Sequence, residues 1–208
     1  MVGQINKHFT TYGFNSYSKG FCRACITCAK HNSQGFLRPR KGQFPTPQYP
    51  FQVIHMDFIE LNKSGVEGKK YCLVVIDSFS KWIELFPTNK PNALTVAIAL
   101  CKDIIPRYGI PEKIYSDNGT HFVNQIVKHI GTLFHIELKN HCAYHPESAG
   151  LVERINGTIK NRLKKCMEET GRPWTKCLDL VKMYINITST SGLTPYETVW
   201  ETLQVTPF

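Results

Sequence analysis

The feature that most restricts how this chain can fold is an unbroken apolar run, YCLVVI, which ends at Asp77. A strand covered on one face alternates apolar and polar residues, whereas a strand covered on both faces reads as a continuous run of this kind. Similar extended segments flank the run, with VIHMDFIEL before it and KWIELFPT after it. Three strands without an intervening helix predict an antiparallel meander, in which YCLVVID is the buried central strand.

Helical and extended patterns alternate through the rest of the chain. Asn92 is suited to cap a helix over ALTVAIALCKDIIPRYG, which is apolar nearly all round and is therefore predicted to be buried. Thr120 is predicted to cap a helix over residues 121–134, a polar loop over residues 144–150 leads into another helix, and a last helix covers residues 173–188. KIYSD and HIELK are predicted strands, and strands separated by helices favour parallel addition to a sheet. We therefore predict an α/β fold with a mixed five-stranded sheet flanked by helices.

The charge of the chain points to a polyanionic partner. Lys and Arg number 25 against 16 Asp and Glu, a formal net charge of +9, and nucleic acid is the first partner that such an excess suggests. A basic surface without a ligand is the alternative. The hydrophobic fraction of 42% supports a packed core and excludes wholesale disorder. No apolar stretch approaches the roughly 18 residues of a membrane-spanning helix, so no membrane partner is expected.

Three of the eight cysteines are clustered, and this sets the N-terminal segment apart. Cys22, Cys25, Cys28 and His31 are each separated by two residues, a pattern suited to a metal ion, while the other cysteines are scattered singly. This distribution favours a reducing compartment over a disulfide framework. We predict a short cysteine-bearing segment over residues 1–35 and an extended, basic, proline-rich linker over residues 36–50.

Three acidic residues occupy positions that suggest a site. Asp57 lies within an apolar strand, where a carboxylate needs a compensating partner. Asp117 ends a strand and leads into Asn-Gly, and taken alone it is better explained by an Asx turn. Glu153 borders the apolar helical stripe that Val152 and Ile159 share, and taken alone it is better explained as an acid favoured by the helix dipole.

The spacing of these acids changes their interpretation. Between Asp57 and Asp117 there are 59 residues, and between Asp117 and Glu153 there are 35. With this D,D-35-E spacing the chain resembles the retroviral integrases, in particular those of gammaretroviruses and related endogenous elements. Ordered blocks carry the resemblance over roughly residues 22–200: DFIEL, VVIDSFSKWIELFPT, IIPRYGIPEKIYSDNGTHF, HCAYHPESAGLVERINGTIK and LTPYE.

The resemblance implies a ribonuclease H-like catalytic core over residues 51–190. It implies that Asp57, Asp117 and Glu153 bind two Mg²⁺ or Mn²⁺ ions, because hard divalent cations with oxygen ligands relieve the repulsion among clustered acids. It also implies 3′-end processing and strand transfer on DNA, a homodimer or higher multimer, and a nuclear or viral-particle location. The residues expected to contact DNA are Tyr144 and His145 in a flexible loop, and Asn156, Lys160 and Lys164 on the following helix.

The chain departs from the family pattern at three places. Cys25 and Cys28 align with the cysteine pair of the family's N-terminal zinc module, but its upstream histidine pair has no counterpart, so residues 1–35 are expected to be a truncated remnant. Zinc would then need Cys22 or His31 as a further ligand. Residues 191–208 are expected to form a tail that lacks the family's β-barrel. Gly157 replaces a basic or polar residue, and a DNA contact is expected to be lost with it. Together these departures leave a non-catalytic, domesticated nucleic-acid-binding protein as the alternative function.

Overall fold

A computed structural model describes residues 12–24, 46–61, 68–140, 146–188 and 192–204. The chain divides into two compact units, Met1–Phe44 and Pro45–Phe208. In the first unit, helix α1 spans Phe14–Ala24 and contains Cys22. Five residues with predicted roles lie outside the described residues: Cys25, Cys28, His31, Tyr144 and His145.

The second unit is built on five strands that form one sheet. The strands are β1 (Val53–Glu60), β2 (Tyr71–Asp77), β3 (Ile83–Thr88), β4 (Lys113–Ser116) and β5 (Glu137–Asn140). Their order across the sheet is β3-β2-β1-β4-β5. The β1–β2 and β2–β3 pairs are antiparallel, and the β1–β4 and β4–β5 pairs are parallel. The predicted mixed five-stranded sheet, with a meander followed by parallel additions, is confirmed.

Helices follow and cover this sheet. They are α2 (Ala93–Ile98), a π-helical segment (Ala99–Ile104), α3 (Ile105–Tyr108), α4 (Gln125–Leu133), α5 (Pro146–Thr170), α6 (Trp174–Asn186) and α7 (Pro195–Gln204). Val199 of α7 is fully buried in the same core as the sheet, so part of the segment predicted as a tail packs into the second unit. Within the described ranges, every helix is too short or too polar to cross a bilayer.

The first helix after the meander is partly as predicted. The Asn92 side chain accepts a hydrogen bond from the Thr95 amide at 2.8 Å, which confirms the predicted cap. The single helix predicted after it is interrupted by the π-helical segment. Leu94 and Ile98 are exposed, so the prediction that this helix is buried all round was wrong for one of its faces.

Two other predictions of local structure were wrong. Thr120 does not cap a helix: α4 starts at Gln125, and the Asn124 side chain accepts from the Ile126 amide at 3.0 Å. The amides of Phe122 and Val123 instead bond the Gly119 carbonyl, which closes a turn ahead of the helix. The loop predicted through Gly150 also ends earlier, because α5 already begins at Pro146, a residue whose fixed φ suits a first helical turn.

Two hydrophobic clusters lie on the two faces of the sheet, and β2 contributes to both. Leu73 and Val75 belong to the cluster that contains residues of α2 and α4. Cys72, Val74 and Ile76 belong to the cluster that contains residues of α5 and α6. Since alternate residues of a strand point to opposite faces, a strand buried on both must be apolar at every position. The unbroken apolar run is thereby explained.

Candidate active site

Strand pairing brings two of the three acids to neighbouring positions. The parallel register of β1 and β4 pairs Met56 with Ser116, and Asp57 and Asp117 each follow directly after this pair. Neighbouring strands lie about 4.8 Å apart, so the two residues are adjacent at this edge of the pairing. Asp57 is half-buried within β1, whereas Asp117 lies just beyond the end of β4 and is exposed.

The third acid comes from the long helix α5. Val152, Ile159 and Leu163 are buried in the cluster on one face of the sheet, which confirms the predicted core stripe. The stripe fixes the rotation of α5 about its axis. Glu153, one residue after Val152, is therefore exposed at the margin of the packed face.

One open cleft of about 530 Å³ contains all three acids. It is lined by Asp57, Asp117, Val152, Glu153, Asn156, Gly157 and Lys160. The structure thus brings together the three predicted metal ligands and two of the predicted DNA contacts, Asn156 and Lys160. Lys164 is exposed one helical turn beyond Lys160.

Asn156 holds the carboxylate of Asp57, a role that the sequence did not reveal. Its Nδ2 donates a hydrogen bond of 2.7 Å to Asp57 Oδ2, and the Phe58 amide donates one of 2.8 Å to Asp57 Oδ1. The Asn156 Oδ1 atom is buried and has no hydrogen-bond partner among the described residues. Asn156 lies three residues after Glu153, so the two side chains share one side of a helix. This spacing is the sequence signal that could have indicated a place for Asn156 in the site.

A tight turn shapes the surroundings of Asp117. Its Oδ1 accepts a hydrogen bond of 2.9 Å from the Gly119 amide, so the Asx turn exists alongside the cleft and the two interpretations are compatible. His121 Nε2 lies 3.5 Å from the same oxygen. A Cβ atom at Gly119 would lie 2.3 Å from His121 Cε1 and 2.9 Å from Asp117 Oδ1, so glycine allows this close approach. His121 was not among the predicted site residues.

The donor set suits magnesium or manganese. Within the described segments, no three His, Cys, Asp or Glu side chains converge closely enough to hold one ion together. A two-ion arrangement does not require that, because Mg²⁺ is usually bound through one or two carboxylates and completes its shell with water and substrate phosphates. Three carboxylates line one open cleft, which offers oxygen donors of the kind that Mg²⁺ prefers. For zinc, Cys25 and Cys28 lie outside the described residues, and zinc binding stays a prediction.

Comparisons with known proteins agree with this geometry. The family model of the integrase core domain matches residues 47–146. The Gag-Pol polyprotein of koala retrovirus is 39% identical over 199 residues, which cover 95% of this chain and 12% of the polyprotein. The chain therefore spans only a small part of such a polyprotein.

Solved structures match as well. The catalytic core of BIV integrase superposes with a TM-score of 0.63 at 25% identity, covering 74% of this chain and 97% of that one. The HTLV-2 integrase core in complex with magnesium, in a trimeric form, has a TM-score of 0.60 at 25% identity, covering 73% of this chain and 98% of that one. This chain carries an integrase core domain of the retroviral type, with the ribonuclease H-like fold that the sequence predicted.

Proposed function

We propose that this chain is the catalytic core of a metal-dependent polynucleotidyl transferase, which trims the 3′ ends of retroelement DNA and joins them to target DNA. The observation that supports the proposal is the meeting of Asp57, Asp117 and Glu153, from three separate elements, in one cleft. The expected reaction is an in-line displacement at phosphorus. Water is the nucleophile in trimming, and the new 3′-hydroxyl is the nucleophile in joining.

Five of the residues that line the cleft have a task in this chemistry. Asp57, Asp117 and Glu153 would hold two Mg²⁺ or Mn²⁺ ions, which when bound supply an activated hydroxyl and stabilise the leaving oxygen. The Asn156 amide fixes the direction in which Asp57 presents its carboxylate. Lys160 neutralises a phosphate of the bound strand, a contact that is independent of base sequence.

The alternative is a nucleic-acid-binding protein that keeps this fold without chemistry. A branched oligonucleotide that mimics the joined product distinguishes the two functions. An integrase core releases the joined strand from it by reversing strand transfer, whereas a protein that only binds DNA does not. In the presence of Mn²⁺ we expect the protein to release the joined strand from this oligonucleotide. Addition of EDTA should stop the release. Binding of the same DNA without any Mn²⁺-dependent product would favour the alternative and contradict the proposal.

The DNA-facing side of α5 has a gap at Gly157. Gly157, Lys160 and Lys164 follow Glu153 along one exposed face, and a Cβ at Gly157 would meet no atom within 4 Å. We expect Gly157→Arg to add a phosphate contact, tightening DNA binding several-fold and steepening its salt dependence by about one unit of slope. Gly157→Ala is the matched control. Alanine stabilises the helix by roughly 1 kcal/mol relative to glycine, as other residues do, but adds no charge. Equal salt slopes for the two variants would contradict a DNA interface here.

We also propose that the core self-associates through α6. Leu180, Met183, Tyr184 and Ile187 recur at three- and four-residue steps and are all exposed, an apolar stripe that is unusual on a surface helix. The proposed setting is the nucleus or a retroelement particle, where such a dimer meets DNA. Sedimentation of the protein at micromolar concentration tests the dimer, and a monomer at all concentrations would contradict it.

A further inference from the structure

Two cysteines face each other where α5 ends and α6 begins. Cys166 lies in the C-terminal part of α5 and Cys177 in the first turns of α6, with exposed fractions of 9% and 2%. Both belong to the hydrophobic cluster that joins these helices to the sheet. Neither has a role in the proposed DNA chemistry.

Thr170 links the two cysteines. Its Oγ1 donates a hydrogen bond of 2.6 Å to the Cys166 carbonyl and lies 3.8 Å from Cys177 Sγ. The pKa of Cys166 is raised, chiefly by the neighbouring Cys177 thiol and secondly by burial. One threonine side chain thus contacts both cysteine residues, which places them side by side at the α5–α6 corner.

A cavity gives small reagents a way to this pair. It has a volume of about 420 Å³ and is lined by residues that include Cys166, Cys177, Thr170, Arg172 and Lys176. Cys72, by contrast, is fully buried within β2, where burial raises its pKa to about 12. Cys101 is exposed, and its reactions would be those of a single surface thiol.

We propose that Cys166 and Cys177 are a dithiol that a two-electron oxidant such as hydrogen peroxide converts into a reversible disulfide between α5 and α6. One thiolate attacks a peroxide oxygen, giving a sulfenic acid and, with a proton, one water. The second thiolate then attacks the sulfenic sulfur, forming the S–S bond and releasing a second water. Two thiols and one peroxide yield one disulfide and two waters, and a reductant such as dithiothreitol restores the thiols.

The consequence is a covalent clamp on the helix that carries Glu153. Cys166 follows Glu153 by 13 residues, about 20 Å along α5, so the bond forms well away from this carboxylate. It restrains the α5–α6 hairpin in the unfolded chain as well, which is the usual origin of disulfide stabilisation. The inference is independent of the proposed DNA chemistry.

Peptide mapping of the wild-type chain is the test. Trypsin cleaves after Lys165, Lys176 and Lys182, which places Cys166 and Cys177 in separate peptides that only a disulfide can hold together. After mild peroxide treatment and alkylation without reductant, we expect these two peptides to be joined, and dithiothreitol to separate them. The melting temperature should rise by several degrees on oxidation and return on reduction.

Variants make the result specific. Cys177→Ser should lose the joined peptides and the rise in melting temperature, whereas Cys101→Ser should keep both. Two outcomes would overturn the proposal in the wild-type chain, whatever the folding of the variants. In one, both thiols remain alkylatable or go on to sulfinic acid. In the other, either cysteine pairs with Cys101.

Discussion

Glu153→Gln is expected to abolish release of the joined strand from the branched substrate, with a loss of roughly a thousandfold or more. The substitution keeps the shape of the side chain but replaces an anionic oxygen ligand with an amide. Stabilisation of phosphoryl charge by bound ions is worth several kcal/mol, and each 1.4 kcal/mol is about a factor of ten in rate. Because Glu153 is exposed, its replacement should leave the free energy of unfolding within about 0.5 kcal/mol of wild type.

The matched control for this variant is Glu168→Gln. Glu168 lies on the same helix and is exposed, but it is about four turns away from Glu153 and does not line the cleft. It should retain wild-type activity, which would show that the charge matters at Glu153 and not along α5 in general. Equal rates of strand release for wild type and Glu153→Gln would show that Glu153 is not part of the active site.

A buried carboxylate gives the second large effect, this time on stability. Glu84 of β3 is 3% exposed. Its Oε1 accepts hydrogen bonds from the Tyr108 hydroxyl at 2.7 Å and the Trp82 indole at 3.2 Å, and Lys182 Nζ lies 3.1 Å from Oε2. Burial and the Glu84 carboxylate together raise the pKa of the Tyr108 hydroxyl. The cluster ties β3 to α3 and α6.

Lys182→Met is therefore expected to lower the free energy of unfolding by about 2–3 kcal/mol. It keeps the apolar stem but leaves the carboxylate of Glu84 without its cation. Removing one partner of a fully buried pair costs about 3–5 kcal/mol, and the loss here should be smaller because the Lys182 side chain is 27% exposed and two neutral donors remain. Urea unfolding measures the change.

The control is Lys176→Met, since Lys176 is exposed on the same helix. It should change stability by no more than about 0.5 kcal/mol. Adding Glu84→Gln to Lys182→Met should recover part of the loss, because it removes the uncompensated charge. If Lys182→Met were as stable as wild type, the ion pair would contribute nothing to the fold.

The parts of the fold that the sequence predicted are those with strong periodicity. The apolar run of β2 predicted a strand covered on both faces, and the stripe through Val152 and Ile159 predicted the buried face of α5. Both patterns involve residues that are close together in the sequence, so they can be recognised without knowledge of distant contacts. The spacing of the three acids indicated the resemblance to a family, and that resemblance implied that the acids share a site.

The features that the sequence did not predict depend on tertiary contacts, which the local sequence pattern does not reveal. Asn156 meets Asp57 across 99 positions, and only the packing of α5 against β1 and the rotation of α5 place them together. At the start of α4, Thr120 and Asn124 are both good caps, and the turn at Gly119 decides between them. His121 reaches Asp117 because of that same turn.

The most direct test of the account is a calorimetric titration of Mn²⁺ into the wild-type protein and into Asp57→Asn, with Asp179→Asn on the exposed side of α6 as control. If Asp57, Asp117 and Glu153 hold the ions, wild type and Asp179→Asn should bind Mn²⁺ alike, and Asp57→Asn should bind it at least about tenfold more weakly. Equal Mn²⁺ affinity and stoichiometry in all three proteins would contradict the assignment of this cleft as the metal-dependent active site.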